Sequence, residues 1–182
     1  MRAWREAPLS EVVEFRRGLT YKKSDEVDFS DNAVLRANNV DRDTGALNLD
    51  DVRYIDPAIQ IPEKKLVHPQ SLLICTASGS KAHLGKVALI QSDRRFAFGG
   101  FMGLLVPSNQ LDAKFLFYLT RSRRYDDHIS SLSDGANINN LKFKDFGQLL
   151  VPIPPLEEQK RIVAVLDQAF AALDRATEHS LV

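Results

Sequence analysis

With 182 residues, 44% hydrophobic and 26% charged, the chain carries enough apolar side chains for one well-formed core, which excludes an intrinsically disordered protein. No run approaches the roughly 18 uncharged apolar residues of a membrane span, and MRAWREAPLSEVVEFRRG lacks the unbroken apolar stretch of a signal peptide, so the expectation is a cytoplasmic protein with no membrane partner. The formal net charge is zero but unevenly spread: Asp25 to Glu63 holds three basic residues against ten acidic, Lys81 to Lys144 ten basic against five acidic. Folding can hold these two fields apart or interleave and cancel them.

In chain order, LSEVVEF reads as a short helix with Ser10 as its N-cap and Gly18 near its end. AVLRANNV and VRYI are short and rich in β-branched residues, and DRDTGALNLDD between them is a turn region. Pro57, Pro62 and Pro69 make Asp56 to Gln70 mostly loop. SLLICTAS, GKVALIQ and FMGLLVP read as buried strands separated by glycines. Asp112 begins a helix, DAKFLFYLTRSRRYDDHIS, with Phe115, Leu119 and Ser122 along one face. The polar SDGANINN comes next, then one more strand, GQLLVPI. Strands dominate the middle and helices lie at both ends, which favours an α+β fold over a doubly wound sheet.

From Leu156 onward the pattern is one long helix. Pro155 suits its first position, Glu157 and Glu158 lie near the positive end of its dipole, and the span to His179 would be about 36 Å long. Ile162, Val163, Leu166, Ala169, Phe170 and Leu173 recur at spacings of three and four, and Val163, Leu166, Phe170 and Leu173 form a heptad-like seam. Such a stripe either folds back on its own domain or pairs with a partner helix. The single cysteine, Cys75, lies inside SLLIC, so no disulfide forms within the chain and a buried structural thiol is expected.

LLVPIPPLEEQKRIVAVLDQAFAALD closely resembles the junction between target-recognition domain and conserved helix in specificity subunits of Type I restriction-modification systems. The likeness continues upstream in the same order through PLSEVVEFRRGLT, AVLRANNVDRDTGALNLDDVRYI, SLLICTASGSKAHLGKVALI, LDAKFLFYLTRS and SDGANINNLKFKDFGQLLVPIPPLEEQ, covering nearly the whole chain. The resemblance implies a mixed-sheet target-recognition domain over 1–153 and a spacer helix over 154–182. It implies a subunit that reads one half of a split double-stranded DNA target, holds no cofactor of its own and is not an enzyme. Its implied partners are modification subunits, which bind S-adenosylmethionine and methylate adenine, and in the full assembly a restriction subunit. Family members normally carry two recognition domains and two helices where one of each is present here. That leaves two expectations: a homodimer paired through Val163, Leu166, Phe170 and Leu173, reading an interrupted palindrome, or a truncated regulator that binds methyltransferase or a second copy without reading DNA.

On the DNA-binding reading, four loci are candidates: Arg16, Arg17, Lys22 and Lys23; Lys81, His83 and Lys86; Arg94 and Arg95; and Asn137, Asn139, Lys142 and Lys144. Lys and Arg suit phosphates and guanine edges, and Asn can pair bidentately with adenine; each locus is also explicable as solvated surface. Arg121, Arg123 and Arg124 are assigned to a helix C-terminus, where the dipole favours them. GSKAHLGK misses the phosphate-loop pattern in its glycine spacing and in Val87, so it is read as a strand-connecting turn. His68, His83, His128 and His179 show no metal-ligand spacing, and neither a methyltransferase motif nor a nucleophile elbow is present.

Overall fold

The computed structural model describes residues 4–133 and 140–179. The elements run β1 (Arg5–Pro8), α1 (Leu9–Val12), β2 (Val13–Arg17), β3 (Glu26–Val27), β4 (Ala33–Leu35), β5 (Arg53–Ile55), β6 (Ser71–Cys75), β7 (Val87–Ile90), β8 (Ala97–Phe98), β9 (Met102–Pro107), α2 (Ala113–Leu119), α3 (Arg123–Ser133), α4 (Phe143–Phe146), β10 (Leu150–Ile153) and α5 (Leu156–His179). The fold is α+β, as the order of elements predicts.

Three sheets form. The central one is antiparallel, in the order β2-β9-β6-β7; the second runs β3-β5-β4-β8, with a parallel β4–β8 pair; β1 and β10 make a two-stranded ribbon. The middle strand β6 is buried on both faces, which is why SLLIC is apolar almost throughout rather than alternating with polar residues. Side chains of a strand alternate between faces. Accordingly Leu72 and Ile74 pack with Leu105, Leu116, Tyr125 and Phe146 on the helical side, while Leu73 and Cys75 pack with Leu104, Phe98 and Ile90 toward the second sheet. A third cluster, Val34, Ile55, Leu66 and Ala97, lies against Leu19 and Tyr21. Burying each large apolar side chain contributes roughly 1.5–3 kcal/mol.

Two local expectations change. The helix of LSEVVEF runs only from Leu9 to Val12, with Pro8 rather than Ser10 at its N-cap, and Val13–Arg17 is strand, because its backbone pairs with β9 in the register Val13↔Pro107 to Arg17↔Gly103. Likewise the helix expected from Asp112 is two helices. Asp112 does cap α2, its carboxylate accepting from the Phe115 N–H at 2.8 Å. The break falls where the Thr120 and Ser122 hydroxyls donate to the carbonyls of Phe117 and Leu119 three residues back, competing with helix continuation. Arg123 and Arg124 therefore open α3 instead of ending a helix, so the dipole does not explain them. Arg124 pairs with Glu6 at 2.7 Å, and Arg121 donates to the Asp43 carbonyl and lies 5.5 Å over the Phe117 ring.

The last helix is docked, not free along its whole length. Gln159 is fully buried: its Oε1 accepts from the Asp112 N–H at 2.8 Å, and its Nε2 donates to the carbonyls of Gln110 at 2.9 Å and Pro154 at 2.8 Å. One turn on, Ile162 and Val163 pack against the core. Two turns on, Asp167 accepts from Lys114 at 2.6 Å and Tyr118 at 2.5 Å, and Phe170 stacks on Tyr118 with centroids 5.6 Å apart. Beyond these contacts an apolar face stays open, with Val165 65% and Leu173 60% exposed. No helix among the described residues is long and apolar enough to cross a membrane.

Candidate nucleic-acid interface

Strand direction gathers four chain segments at one rim. β2 and β6 both run antiparallel to β9, so their carboxyl ends lie together at its start, with Arg17 opposite Gly103 and Cys75 opposite Met102. β4 and β8 are parallel, Leu35 beside Phe98, and end at the same place. Backbone bonds stitch the ends: Leu19 N–H to Phe98 O at 2.7 Å, Gly99 N–H to Leu35 O at 2.9 Å, and Gly18 N–H to Met102 O at 3.1 Å.

The segments leaving these strand ends line a groove. A cavity of about 540 Å³ is bounded by Leu19 to Tyr21 and Lys23 after β2, Arg36 to Asn38 after β4, Ala77 to Gly79 after β6, and Gly99 to Met102 between β8 and β9, with Glu26 also on its wall. A second lobe of about 190 Å³ shares Ala77, Gly100, Phe101 and Met102 with it and adds Arg17 and Asn140 to Phe143. Arg17, Lys23, Arg36 and Lys142 thus stand around one two-lobed depression. Arg17 is braced by Phe143, whose ring lies 5.6 Å from its guanidinium and stacks on Phe15 at 4.9 Å. Gly103 makes room for that ring, since a Cβ there would come within 2.9 Å of it. Arg36 donates to Asp51 at 2.9 Å, while its buried Nε finds no acceptor, so the guanidinium is only partly committed.

The four loci separate in space. Arg17 and Lys23 reach the groove, but Arg16, one residue along the same strand, faces the other way and is held by Glu14 through bonds of 2.8 and 3.0 Å; the bonded carboxylate pushes its pKa up. Lys22 is exposed, and its N–H donates to Asp25 Oδ2 at 2.7 Å. Lys81–His83 is a single 3₁₀ turn. Lys86 lies in a different depression beside Arg42, Arg121 and Tyr125 and points its ammonium at the Val40 carbonyl, 3.5 Å away. Arg94 is exposed outside the groove, and Arg95 pairs with Glu63 at 2.6 Å. Lys142 lines the smaller lobe; Lys144 is exposed on α4. Asn137 and Asn139 lie outside the described residues. Arg36, Asn38, Asn140 and Phe101 also line the groove and lie outside the four loci. The one available signal was FAFGGFMG, where an aromatic comes after two glycines in an otherwise buried run.

Among the described residues, nothing at the rim is arranged for covalent chemistry. Cys75 is buried, and burial pushes its thiol up to about 11, which keeps it protonated and unreactive. Among the described residues no cluster of three or more His, Cys, Asp or Glu is placed to hold a metal ion.

Residues 1–181 match the profile of the Type I restriction modification DNA specificity domain. The chain belongs to that family. Within it, the chain is 37% identical over 174 residues to the Type I restriction enzyme EcoKI specificity subunit of Escherichia coli (strain K12), and 36% identical to the StySPI specificity subunit of Salmonella potsdam. Each alignment covers 94% of this chain and 37% of the relative, so the chain spans little more than a third of those proteins. Among solved structures, a chain from work on complex assembly and conformational transition of the type I R-M system superposes with a TM-score of 0.73 at 25% identity, over 98% of this chain and 42% of that one. The HsdS subunit from Thermoanaerobacter tengcongensis shares the fold, with a TM-score of 0.68 at 24% identity over 96% of this chain and 40% of the other.

Proposed function

We propose that this chain is a sequence-reading DNA-binding unit of a Type I specificity subunit, acting in the cytoplasm by contact alone. Residues 1–153 bind one half of a bipartite duplex target, and the helix of 154–182 is spacer and joint. The outward face of that helix, with Val165 and Leu173, pairs with a like helix from a second copy or a second recognition unit. Modification subunits dock on the paired assembly and carry out the methylation, and a restriction subunit joins them in the complete system.

The observation that carries this reading is the convergence of Arg17, Lys23, Arg36 and Lys142 on one two-lobed groove of a chain whose net charge is zero. A neutral protein gains little from its overall field, so phosphate affinity has to be local. Docking by Gln159, Asp167 and Phe170 sets the angle at which α5 leaves the globule, which a spacer requires. The test is retention of random-sequence duplexes and sequencing of the bound fraction, with and without a modification subunit, and titration of affinity against salt. Four phosphate contacts give a log–log slope of about −3.6. An unenriched pool and a flat salt response would favour a protein-only regulator.

A further inference from the structure

Among the described residues of the rim, Phe101 is the large apolar side chain left open to water: 72% of it is exposed. Leaving a ring that large in water forgoes the stabilisation that burial would bring. Its backbone is nevertheless firmly held. The Phe101 carbonyl accepts from the N–H groups of Thr76 at 2.9 Å and Ala77 at 3.0 Å and from the Thr76 hydroxyl at 3.0 Å, and the Met102 N–H closes the turn onto Gly99 O at 2.8 Å. An exposed aromatic on a fixed backbone is preorganised to meet something outside the protein.

The residue belongs to the wall shared by the two lobes, with Lys23 and Arg36 lining the larger and Arg17 and Lys142 the smaller. Phe101 therefore borders both volumes, and each holds two cations, with Glu26 the one acid on the wall of the larger. That matches two consecutive nucleotides, one in each lobe, with their phosphates neutralised on either side. A base-edge contact would need neither the second lobe nor the second cationic pair. Resting on the DNA-reading role of the chain, we propose that Phe101 is a wedge that enters the duplex at one base step, unstacks it and kinks it, making Phe101 a specificity-determining residue. Selection arises because pyrimidine–purine steps unstack most readily, so such a step should stand at a fixed position in the target.

The experiment uses the full chain and a duplex recovered from the random pool, labelled at both ends for energy transfer, with 2-aminopurine moved along it. With the natural chain, 2-aminopurine should brighten at one step and the duplex ends should approach. F101A should abolish both signals and lower affinity roughly 5- to 150-fold, the range for removing an aromatic from a base stack, with an unchanged salt slope because no charge is lost. F101L, which keeps an apolar wedge, should retain most of the bend. Thermal melting verifies that both variants are folded. If F101A brightens and bends the same step as the natural chain, the wedge is wrong while DNA reading stands. If the natural chain retains no duplex at low salt, DNA reading itself fails and the wedge with it.

Discussion

Gly18 shows how narrowly single residues fix the rim. A Cβ there would lie 1.9 Å from the Gly99 carbonyl oxygen and 2.7 Å from that of Phe98, and neither backbone atom can move without breaking the bridge that Leu19 makes to Phe98 and Gly99. Gly18→Ala should therefore cost about 3 kcal/mol, the upper end for forcing extra volume into packed structure, and chemical denaturation measures it. Arg16 and Arg17 make the complementary case, two identical side chains separated by strand alternation. Arg17→Ala should lower duplex affinity and make the salt slope shallower by about one, as loss of a single phosphate contact does, whereas Arg16→Ala should leave the slope where it was.

At the scale of elements, the joint between α2 and α5 is held by a small network whose ionisation sets its working range. Burial raises the pKa of Asp167, but hydrogen bonds from Lys114 and Tyr118 outweigh it and hold the carboxyl below its usual 3.8. A depressed carboxylate contributes stability that is complete above its unfolded pKa and lost as pH falls through the lowered value. Burial pushes the Tyr118 hydroxyl up to about 12, helped by its bond to Asp167; that contribution is complete below 10 and lost as pH rises through 12. Docking of α5 should thus be constant across neutral pH and loosen at both extremes, first seen as faster amide exchange along Asp167–Leu173. Asp167→Asn should remove the acid-side transition and, because the pair is more than a third exposed, cost no more than about 1 kcal/mol.

For the whole molecule, α5 divides its apolar residues between two tasks. Ile162, Val163 and Phe170 serve the chain's own globule, and Val165 and Leu173 face outward. The heptad-like seam of the sequence is therefore not one uniform stripe: Val163 and Phe170 are committed to the globule while Leu173 is open. Sedimentation should show concentration-dependent self-association of the chain. Replacing Val165 and Leu173 together by Glu should yield a monomer with an unchanged melting temperature, since neither side chain is buried in the globule. A chain that stays monomeric at high concentration would remove the second copy as the partner.

The amino-acid sequence by itself determined much of this protein. Apolar runs such as SLLIC and the three- and four-residue spacing after Pro155 dictate buried strands and a long helix through local periodicity, and the PIPPLEEQ segment carries the family. Tertiary structure alone decided which cations lie together. Arg17, Lys23, Arg36 and Lys142 are far apart along the chain and meet only because β2, β4, β6 and β8 end at one rim, a consequence of strand direction and register. It also decided that Lys86 and Arg95 turn elsewhere, and that Gln159, an unremarkable polar residue in the sequence, is the buried pin of the last helix. Periodicity reports which side of an element is apolar; what that side meets depends on long-range pairing, which no local pattern encodes.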